Sequence, residues 1–261
     1  MIEVTAIPAF ENNYIWAIHE NGSAAVVDPG DAKPVQAWLA LNGMQLTAIL
    51  LTHHHSDHIG GVAALLSQTP VPVFGHADDA HRLPPLSAAL RNGDRITVPG
   101  LALAMEVLAT SGHTLGHICY HGQGLLFCGD TLFSAGCGRM FEGTPEQFES
   151  SLARLAALPP ETKVFAAHEY TLGNIAFAAA LTPDDVAVQA ALVDVRRRRA
   201  AGIATLPSTI GWERRHNPFL RCAEPGIAAA AGLPGTHRSK VFAALRRAKD
   251  CFPAVAATSM S

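Results

Sequence analysis

The chain has 261 residues, 49% of them hydrophobic and 16% charged, a composition typical of a globular protein with a sizeable core. Its net charge of −3 hides an asymmetry. Residues 1–174 contain seven basic and 16 acidic residues, a balance of −9, whereas residues 175–261 contain 12 basic and six acidic residues, a balance of +6. This pattern disfavours nucleic acid as a partner of the first half. It predicts an acidic half that holds cations and a basic half that attracts an anionic substrate.

Cysteine usage and hydropathy further limit the class of protein and its compartment. The five cysteines are scattered without a Cys-x-x-Cys pair, which indicates neither a disulfide framework nor a zinc ribbon. Residues 1–6 lack the basic start of a signal peptide, and no apolar run is long enough to span a membrane. We therefore expect a cytoplasmic protein without a membrane partner.

Short apolar or alternating segments predict many strands before residue 170, separated by turns rich in asparagine and glycine. The predicted strands cover residues 2–7, 14–18, 24–27, 46–51, 71–74, 95–98, 101–108, 117–121, 125–128 and 163–167. Predicted helices cover residues 34–41, about 59–67 and 145–158, the last with a capping box formed by Thr144 and Gln147. This mixture is typical of a layered α/β (α+β) architecture with mixed sheets.

From about residue 175 the pattern becomes helical. One helix is predicted from Pro183 to Arg199, because proline and acidic residues favour a first helical turn. A loop rich in proline and tryptophan is expected over residues 207–221, followed by a final helix over 239–251. Arg246 and Lys249 are expected on the flank of that final helix.

The most informative stretch is Thr52-His53-His54-His55-Ser56-Asp57-His58, which directly follows a predicted buried strand. On an extended segment His53 and His55 point the same way and can bind one ion. The chain then turns into a helix, so Asp57 and His58 can face a second ion. Imidazole and carboxylate without thiolate suit a catalytic site for zinc, iron or manganese. A surface patch or an expression tag is disfavoured, because a tag lies at a terminus and lacks an internal Asp-His.

Three further candidates follow predicted strands or lie in glycine-rich loops: His113, Asp130 and His168. Each alone is weak evidence for a metal site, since a lone histidine is more often a core or surface residue than a ligand. With the four residues of the histidine stretch they make seven ligands. Seven ligands suffice for two ions if one carboxylate bridges them.

The pattern H-x-H-x-D-H, a later Gly-His loop, a Gly-Asp after a strand and a final histidine at a strand end resembles the metallo-β-lactamase superfamily. Asp28, in Val-Val-Asp-Pro-Gly, matches the early aspartate of that superfamily. The resemblance implies an αββα sandwich over about residues 1–170. It also implies one ion bound by His53, His55 and His113 and another bound by Asp57, His58 and His168, with Asp130 between them.

Within the superfamily, the chain most resembles the glyoxalase II family, the hydroxyacylglutathione hydrolases. The stretches that carry this resemblance are Asn13-Tyr14, Thr52-His53-His54-His55, residues 136–144, His168-Glu169-Tyr170-Thr171, Glu213, residues 217–221 and residues 246–250. The resemblance implies a catalytic domain over residues 1–172 and a helical, glutathione-binding domain over residues 173–261.

The same resemblance implies the reaction. S-(2-hydroxyacyl)glutathione, chiefly S-D-lactoylglutathione, would be hydrolysed to glutathione and D-lactate, the second step of methylglyoxal detoxification. By this likeness Arg246 and Lys249 meet a substrate carboxylate, while Arg139 and Tyr170 line the site. Phe141 stands where some members have tyrosine, so one hydroxyl contact to glutathione is missing.

The chemistry of such a site requires no Ser-His-Asp triad. Two ions sharing a water would lower its pKa from about 15.7 toward 7. The thiolate leaving group needs no strong acid, because thiols ionise near pH 8.5. Asp57, as proton acceptor, and Asp130, as bridging carboxylate, are the expected catalytic residues. We expect a monomer with two divalent ions, zinc first and iron or manganese as alternatives.

Other functions are compatible with the sequence. The superfamily also includes β-lactamases, lactonases and phosphodiesterases, although a nuclease would favour a basic surface and a zinc β-lactamase would normally be exported. A persulfide dioxygenase would use a single iron and also handle glutathione. A non-catalytic scaffold is disfavoured by seven intact ligands. From the charge pattern alone, Arg246 and Lys249 are predicted to lie on a solvent-exposed helix face without a role in binding.

Overall fold

A computed structural model of the chain describes residues 1–253, and two compact units can be distinguished in it. Unit 1 comprises Met1–Ala109 and Gly116–Gly129. Unit 2 comprises Thr110–Leu115 and the chain from Asp130 onward. These units are defined by compactness, so the functional boundary between residues 172 and 173 stays a prediction.

The first sheet of unit 1 is mixed. Its strands lie in chain order: β1 (Glu3–Ala9), β2 (Asn13–Glu20), β3 (Ser23–Val27), β4 (Gln45–Leu50), β5 (Val73–His76) and β6 (Ala88–Leu90). The first three strands pair antiparallel, and β3 to β6 pair parallel. Parallel neighbours need a crossover, and helices supply the first two crossovers. They are α1 (Ala32–Asn42), α2 (Ser56–Ile59) and α3 (Val62–Gln68).

The helix predicted near residues 59–67 is split in two by its glycines. A Cβ at Gly60 would lie 2.7 Å from the carbonyl oxygen of Gly30, and one at Gly61 would lie 2.5 Å from the amide nitrogen of Ala32. These glycines let the chain pass close to the loop after β3. The histidine stretch is thereby held against the end of that strand.

The strands that unit 1 contributes to the second, six-stranded sheet form an antiparallel meander: β7 (Arg95–Thr97), β8 (Ala104–Ala109), β9 (Ile118–Gly122) and β10 (Leu125–Gly129). The buried Tyr120 on β9 donates a hydrogen bond from its hydroxyl to the carbonyl oxygen of Leu51, at 2.9 Å. This bond ties the meander to the segment directly after β4, where the histidine stretch begins.

From Asp130 onward, unit 2 contains a hairpin followed mainly by helices. Its elements are β11 (Leu132–Phe133), β12 (Gly136–Cys137), α4 (Pro145–Ala156), β13 (Lys163–Ala166), α5 (Thr171–Leu181), α6 (Val186–Ala200), β14 (Ser208–Thr209), α7 (Ile210–His216), α8 (Pro225–Ala230) and α9 (Arg238–Asp250). The predicted capping box at the start of α4 is confirmed, with both reciprocal bonds between Thr144 and Gln147. Apolar residues of α5 and α6, among them Ile175 and Val188, form a core.

Two predictions for this region are wrong. The helix expected from Pro183 begins at Val186, because the Asp185 side chain accepts bonds from the amides of Ala187 and Val188 and so caps it. The loop expected over residues 207–221 contains β14 and the seven-residue α7, which is too short and too polar for a clear period. Within residues 1–253, no helix combines the length and the apolar character that crossing a membrane requires.

Candidate metal centre

In unit 1 the histidine stretch brings the imidazoles of His53 and His55 together edge to face, with ring centroids 4.6 Å apart. Nε2 of His53 lies 3.0 Å from Nδ1 of His55. The residues are two apart on extended backbone after β4, so their side chains share one side as predicted. His53 is buried, and its other nitrogen, Nδ1, lies 3.0 Å from the hydroxyl oxygen of Thr52. Nε2 is therefore the atom of His53 best placed to bind a cation.

A buried carboxylate, Asp28, supports both ends of this stretch. It accepts hydrogen bonds from the amide of Thr52 at 2.8 Å and from the Thr52 hydroxyl at 2.7 Å. It also lies 3.0 Å from Nδ1 of His58, which donates to it. This bond leaves Nε2 of His58 for a cation, an arrangement typical of metal-binding histidines. Atoms of Asp28, His53 and His58 lie within 4.8 Å of one another.

Asp57 is the more accessible acid of the stretch, with 41% of its side chain exposed. Its Oδ2 accepts a hydrogen bond from Nδ2 of Asn13 at 3.0 Å and lies 3.4 Å from Nε2 of His58. Asn13 belongs to one of the family-like stretches, but sequence reasoning assigned no role to its side chain. It orients the carboxylate that we expect to bind metal.

His54 points to a different cluster, as its position between two ligands predicts. Its Nδ1 lies 3.3 Å from the buried carboxylate of Asp79, and its Nε2 lies 3.3 Å from Nη1 of Arg82. Arg82 also donates to Asp79, at 2.5 Å. Sequence reasoning assigned neither residue a function, because nothing near them in the chain indicates contact with the histidine stretch.

Unit 2 holds the other three predicted ligands. The Asp130 carboxylate lies between two histidines: its Oδ2 is 3.4 Å from Nε2 of His113, and its Oδ1 is 3.3 Å from Nε2 of His168. One carboxylate thus presents a different oxygen to each imidazole. A carboxylate in this position can offer one oxygen on each side.

Backbone contacts orient His113. Its Nδ1 lies 2.7 Å from the carbonyl oxygen of Arg139 and donates to it, which directs Nε2 toward Asp130. The close approach requires glycine at position 138, because a Cβ there would lie 2.0 Å from the carbonyl oxygen of Asp130.

Aromatic rings hold His168. The Tyr170 ring is parallel to the His168 ring, with centroids 4.8 Å apart and an interplanar angle of 1°. The Phe133 ring meets His168 edge-on at 5.7 Å. Tyr170 is 40% exposed, so it can hold the ligand and still contact a substrate.

Beside these residues, unit 2 contains an open pocket of about 280 Å³. It is lined by Arg139, Met140, Phe141, Pro145, Ala243, Arg246, Arg247 and Asp250. Asp250 links two of its cations: one of its carboxylate oxygens lies 3.0 Å from Nη2 of Arg246 and 3.8 Å from Nε of Arg139. The pocket therefore offers apolar walls and positive charge partly balanced by one acid.

Arg246 is not a solvated helix residue, because only 7% of it is exposed. Its Nη1 donates to the carbonyl oxygens of Cys137 at 2.9 Å and Gly138 at 3.4 Å. Its Nε is buried and has no hydrogen-bond partner among the described residues. Arg246 therefore fixes the segment after β12 and keeps one donor for another partner.

Near the pocket, burial changes the pKa of two further side chains, Lys249 and Cys137. Burial, and then the neighbouring charge of Arg246, lower the pKa of Lys249. A bound anion beside the Lys249 ammonium would raise this pKa again. Burial raises the pKa of the Cys137 thiol to about 11, so it is neutral at pH 7 and unsuited to act as a nucleophile.

The donor atoms of these residues are of the types that divalent cations prefer. Imidazole nitrogens and carboxylate oxygens suit zinc, iron or manganese. In His53, His58 and His113 the Nδ1 atom contacts a neighbouring oxygen, and Nε2 faces another candidate ligand. Unit 1 thus brings together His53, His55, Asp57 and His58, and unit 2 brings together His113, Asp130 and His168.

Comparisons with known proteins agree with this chemistry. Residues 9–168 match the family model described as the metallo-beta-lactamase superfamily. A solved B3 metallo-β-lactamase, BLEG-1, superposes with a TM-score of 0.64 at 25% identity, covering 84% of this chain and 99% of that one. TTHA1623 in a di-iron-bound form superposes with a TM-score of 0.59 at 25% identity, covering 84% and 100%. Fold and site together define a metal-dependent hydrolase of the metallo-β-lactamase superfamily.

The C-terminal residues narrow this class. Residues 169–252 match the family model described as hydroxyacylglutathione hydrolase C-terminus. A hydroxyacylglutathione hydrolase of Methylobacillus flagellatus is 50% identical over 97% of this chain and 100% of its own length. The chain therefore belongs to the hydroxyacylglutathione hydrolase family.

Membership in this family confirms three predictions. They are the family resemblance, the αββα metallo-β-lactamase fold with a helical C-terminal region, and an enzymatic, hydrolytic function. The superfamily and the histidine and aspartate clusters also indicate divalent metal ions as cofactors.

Proposed function

We propose that this chain hydrolyses the thioester of S-(2-hydroxyacyl)glutathione, chiefly S-D-lactoylglutathione, to glutathione and D-lactate. This reaction is the second step of methylglyoxal detoxification. One structural observation carries the proposal: the Asp130 carboxylate presents one oxygen to His113 and the other to His168. The match to named hydroxyacylglutathione hydrolases over nearly the whole chain supports the choice of substrate.

The proposed cofactors are two divalent ions, with zinc first and iron or manganese as alternatives. A di-iron form of a structural neighbour supports iron as one alternative. Bound ions of this kind act as Lewis acids and lower the pKa of water. The proposed ligands are His53, His55 and His113 for one ion and Asp57, His58 and His168 for the other, with Asp130 bridging.

Asp57 is the proposed proton acceptor. Asn13 holds its Oδ2, and its side chain is exposed enough to meet water. A carboxylate within hydrogen-bond reach of the attacking water can take its proton. The departing glutathione sulfur needs no acid of comparable strength, because thiols ionise near pH 8.5.

The pocket of unit 2 is the proposed site for the glutathione portion. Glutathione carries two carboxylates and one ammonium, hence a net negative charge. Arg139 and Arg246 line the pocket and offer positive charge, Lys249 lies near enough to both to interact with their charges, and the carbon atoms of Phe141 can contact the peptide. Tyr170, on the face of His168, is the proposed contact nearest the thioester.

We also propose a cytoplasmic monomer. All five cysteines are free thiols, and four of them are buried. Free buried thiols are compatible with a reducing compartment.

The test uses purified protein. We expect two metal ions per chain and rapid hydrolysis of S-D-lactoylglutathione, with slow or no turnover of nitrocefin or a lactone. Asp130→Asn, which keeps the shape of the side chain, should lose metal and activity together. One iron per chain with oxygen uptake, or preferential turnover of nitrocefin, would contradict the proposal.

A further inference from the structure

The residue after His168 is a buried acid that the proposed reaction does not use. Only 1% of the Glu169 side chain is exposed. Burying a carboxylate costs free energy unless donors surround it. Donors from residues 199–205, 30 to 36 positions further along the chain, lie around Glu169.

Thr205 supplies two of those donors. Its amide donates to Oε2 of Glu169 at 2.8 Å, and its hydroxyl donates to Oε1. The hydroxyl oxygen of Thr171 lies 2.6 Å from that of Thr205. Both threonines are buried. The segment from residue 169 to 171 is therefore fixed at both ends by one threonine.

Arg199 completes the surroundings of Glu169. Its guanidinium is buried, with Nη1 3.8 Å from Oε2 of Glu169 and 3.1 Å from the carbonyl oxygen of Ile203. Arg199 lies in the last turn of α6. The charge of the buried acid is thus balanced by a residue of the helical region.

The position of this cluster gives it a role beyond packing. Only four residues separate the end of β13 at Ala166 from the start of α5 at Thr171. His168 lies within that short connection, so fixing Glu169 restricts the backbone that carries His168. Partners one step removed from a metal ligand commonly change metal affinity 10- to 100-fold when they are lost.

We propose that Glu169 and Thr205 are positioning residues that hold His168 in place for metal binding, so that the helical region contributes to metal affinity as well as to substrate binding. This inference rests on the proposed two-metal function. Under this inference, residues 199–205 help to orient a metal ligand.

The test compares Thr205→Val with Thr205→Ser. Valine has the shape of threonine but no hydroxyl, whereas serine keeps the hydroxyl. The matched control is Thr182→Val, because within residues 1–253 the Thr182 hydroxyl bonds only to the carbonyl oxygen of Ala178, near the end of α5. Metal-free proteins are titrated with Zn²⁺ against a competing chelator, and circular dichroism and thermal unfolding report the fold.

We expect Thr205→Val to weaken one of the two stepwise dissociation constants about 10-fold and to leave the other within twofold. Thr205→Ser and Thr182→Val should bind both ions like the parent protein. The inference is overturned if Thr205→Val leaves both constants unchanged, or if it weakens both in parallel with a loss of thermal stability. If Thr205→Val does not fold, Glu169→Gln is titrated in its place and judged by the same criteria. A parent protein that does not bind two ions would instead contradict the proposed function.

Discussion

The carboxylate of Asp28 accepts a hydrogen bond from Nδ1 of His58 at 3.0 Å, across 30 residues of sequence. The same carboxylate binds the amide and hydroxyl of Thr52. One buried acid therefore holds both ends of the histidine stretch.

Asp28→Asn tests this relationship. Asparagine keeps the shape, but it replaces one acceptor oxygen by a donor that faces other donors. We expect kcat/KM and metal affinity to fall about 10- to 100-fold, because His58 loses the partner that orients it. The control is Asp31→Asn, since asparagine also caps helices and Asp31 caps α1. Metal content and steady-state kinetics equal to those of the parent would contradict the role of Asp28.

Asp57→Ala tests the proton acceptor. Loss of a general base typically costs at least about 100-fold in rate, so kcat should fall by that factor where both ions are retained. Metal analysis of the same sample must accompany the kinetics, because Asp57 is also a proposed ligand. Asp78→Ala removes an exposed acid of the same unit and serves as control. Unchanged turnover in an Asp57→Ala protein with two metals would rule out this role.

Lys249→Ala tests the basic flank of α9. We expect KM for S-D-lactoylglutathione to rise about 10-fold with kcat nearly unchanged, since a lost charged contact costs about 1.5 kcal/mol or more. Lys240→Ala removes an exposed lysine from the same helix and should change neither constant. A fall in kcat at constant KM would argue against a binding role.

Phe141→Tyr adds the hydroxyl that the family resemblance leads us to expect at this position. Phe141 lines the pocket and is 62% exposed, so the added oxygen can be accommodated without burial. One new hydrogen bond of about 1 kcal/mol should lower KM roughly fivefold and leave kcat unchanged. Phe141→Leu, which adds no hydroxyl, provides the comparison. Equal KM values for the parent and the tyrosine variant would show that the hydroxyl does not contact this substrate.

Glu213 should make stability depend on pH. Complete burial raises the pKa of this carboxyl from 4.5 to about 7, although Ser208, Ala135 and Asn217 donate to it. The folded protein therefore holds this proton to a higher pH than the unfolded chain. Its stabilising contribution is complete below pH 4.5 and is lost as the pH rises through about 7. The difference amounts to about 3 kcal/mol.

Urea unfolding at several pH values between 4.5 and 8 measures this effect. Glu213→Gln resembles the protonated acid, so its free energy of unfolding should decrease less over this range than that of the parent. Both proteins retain the proposed metal ligands, and their difference isolates Glu213. Glu161→Gln, at an exposed position, should behave like the parent. Parallel pH profiles for the parent and Glu213→Gln would disprove the prediction.

Much of the fold and site follows from local pattern. The apolar run of β2, the capping box of α4 and the spacing of His53 and His55 are features of neighbouring residues, and hydropathy, capping residues and side-chain alternation reveal them. The limits of α6 show where this reasoning stops. Pro183 satisfies the rules for a helix start, yet α6 begins after Asp185, whose carboxylate is also held by Arg215 and Arg221.

By itself, the sequence determined the fold class and the family and identified the metal-binding candidates, because these follow from local residue patterns and from short motifs that resemble a known family. Only the tertiary structure decided which groups orient those candidates. The contacts of Asp28 with His58 and of Glu169 with Thr205 join residues 30 and 36 positions apart. It also decided that Arg246 is buried against backbone carbonyls. Burial and hydrogen-bond partners arise when distant segments pack together, and no local pattern encodes that packing.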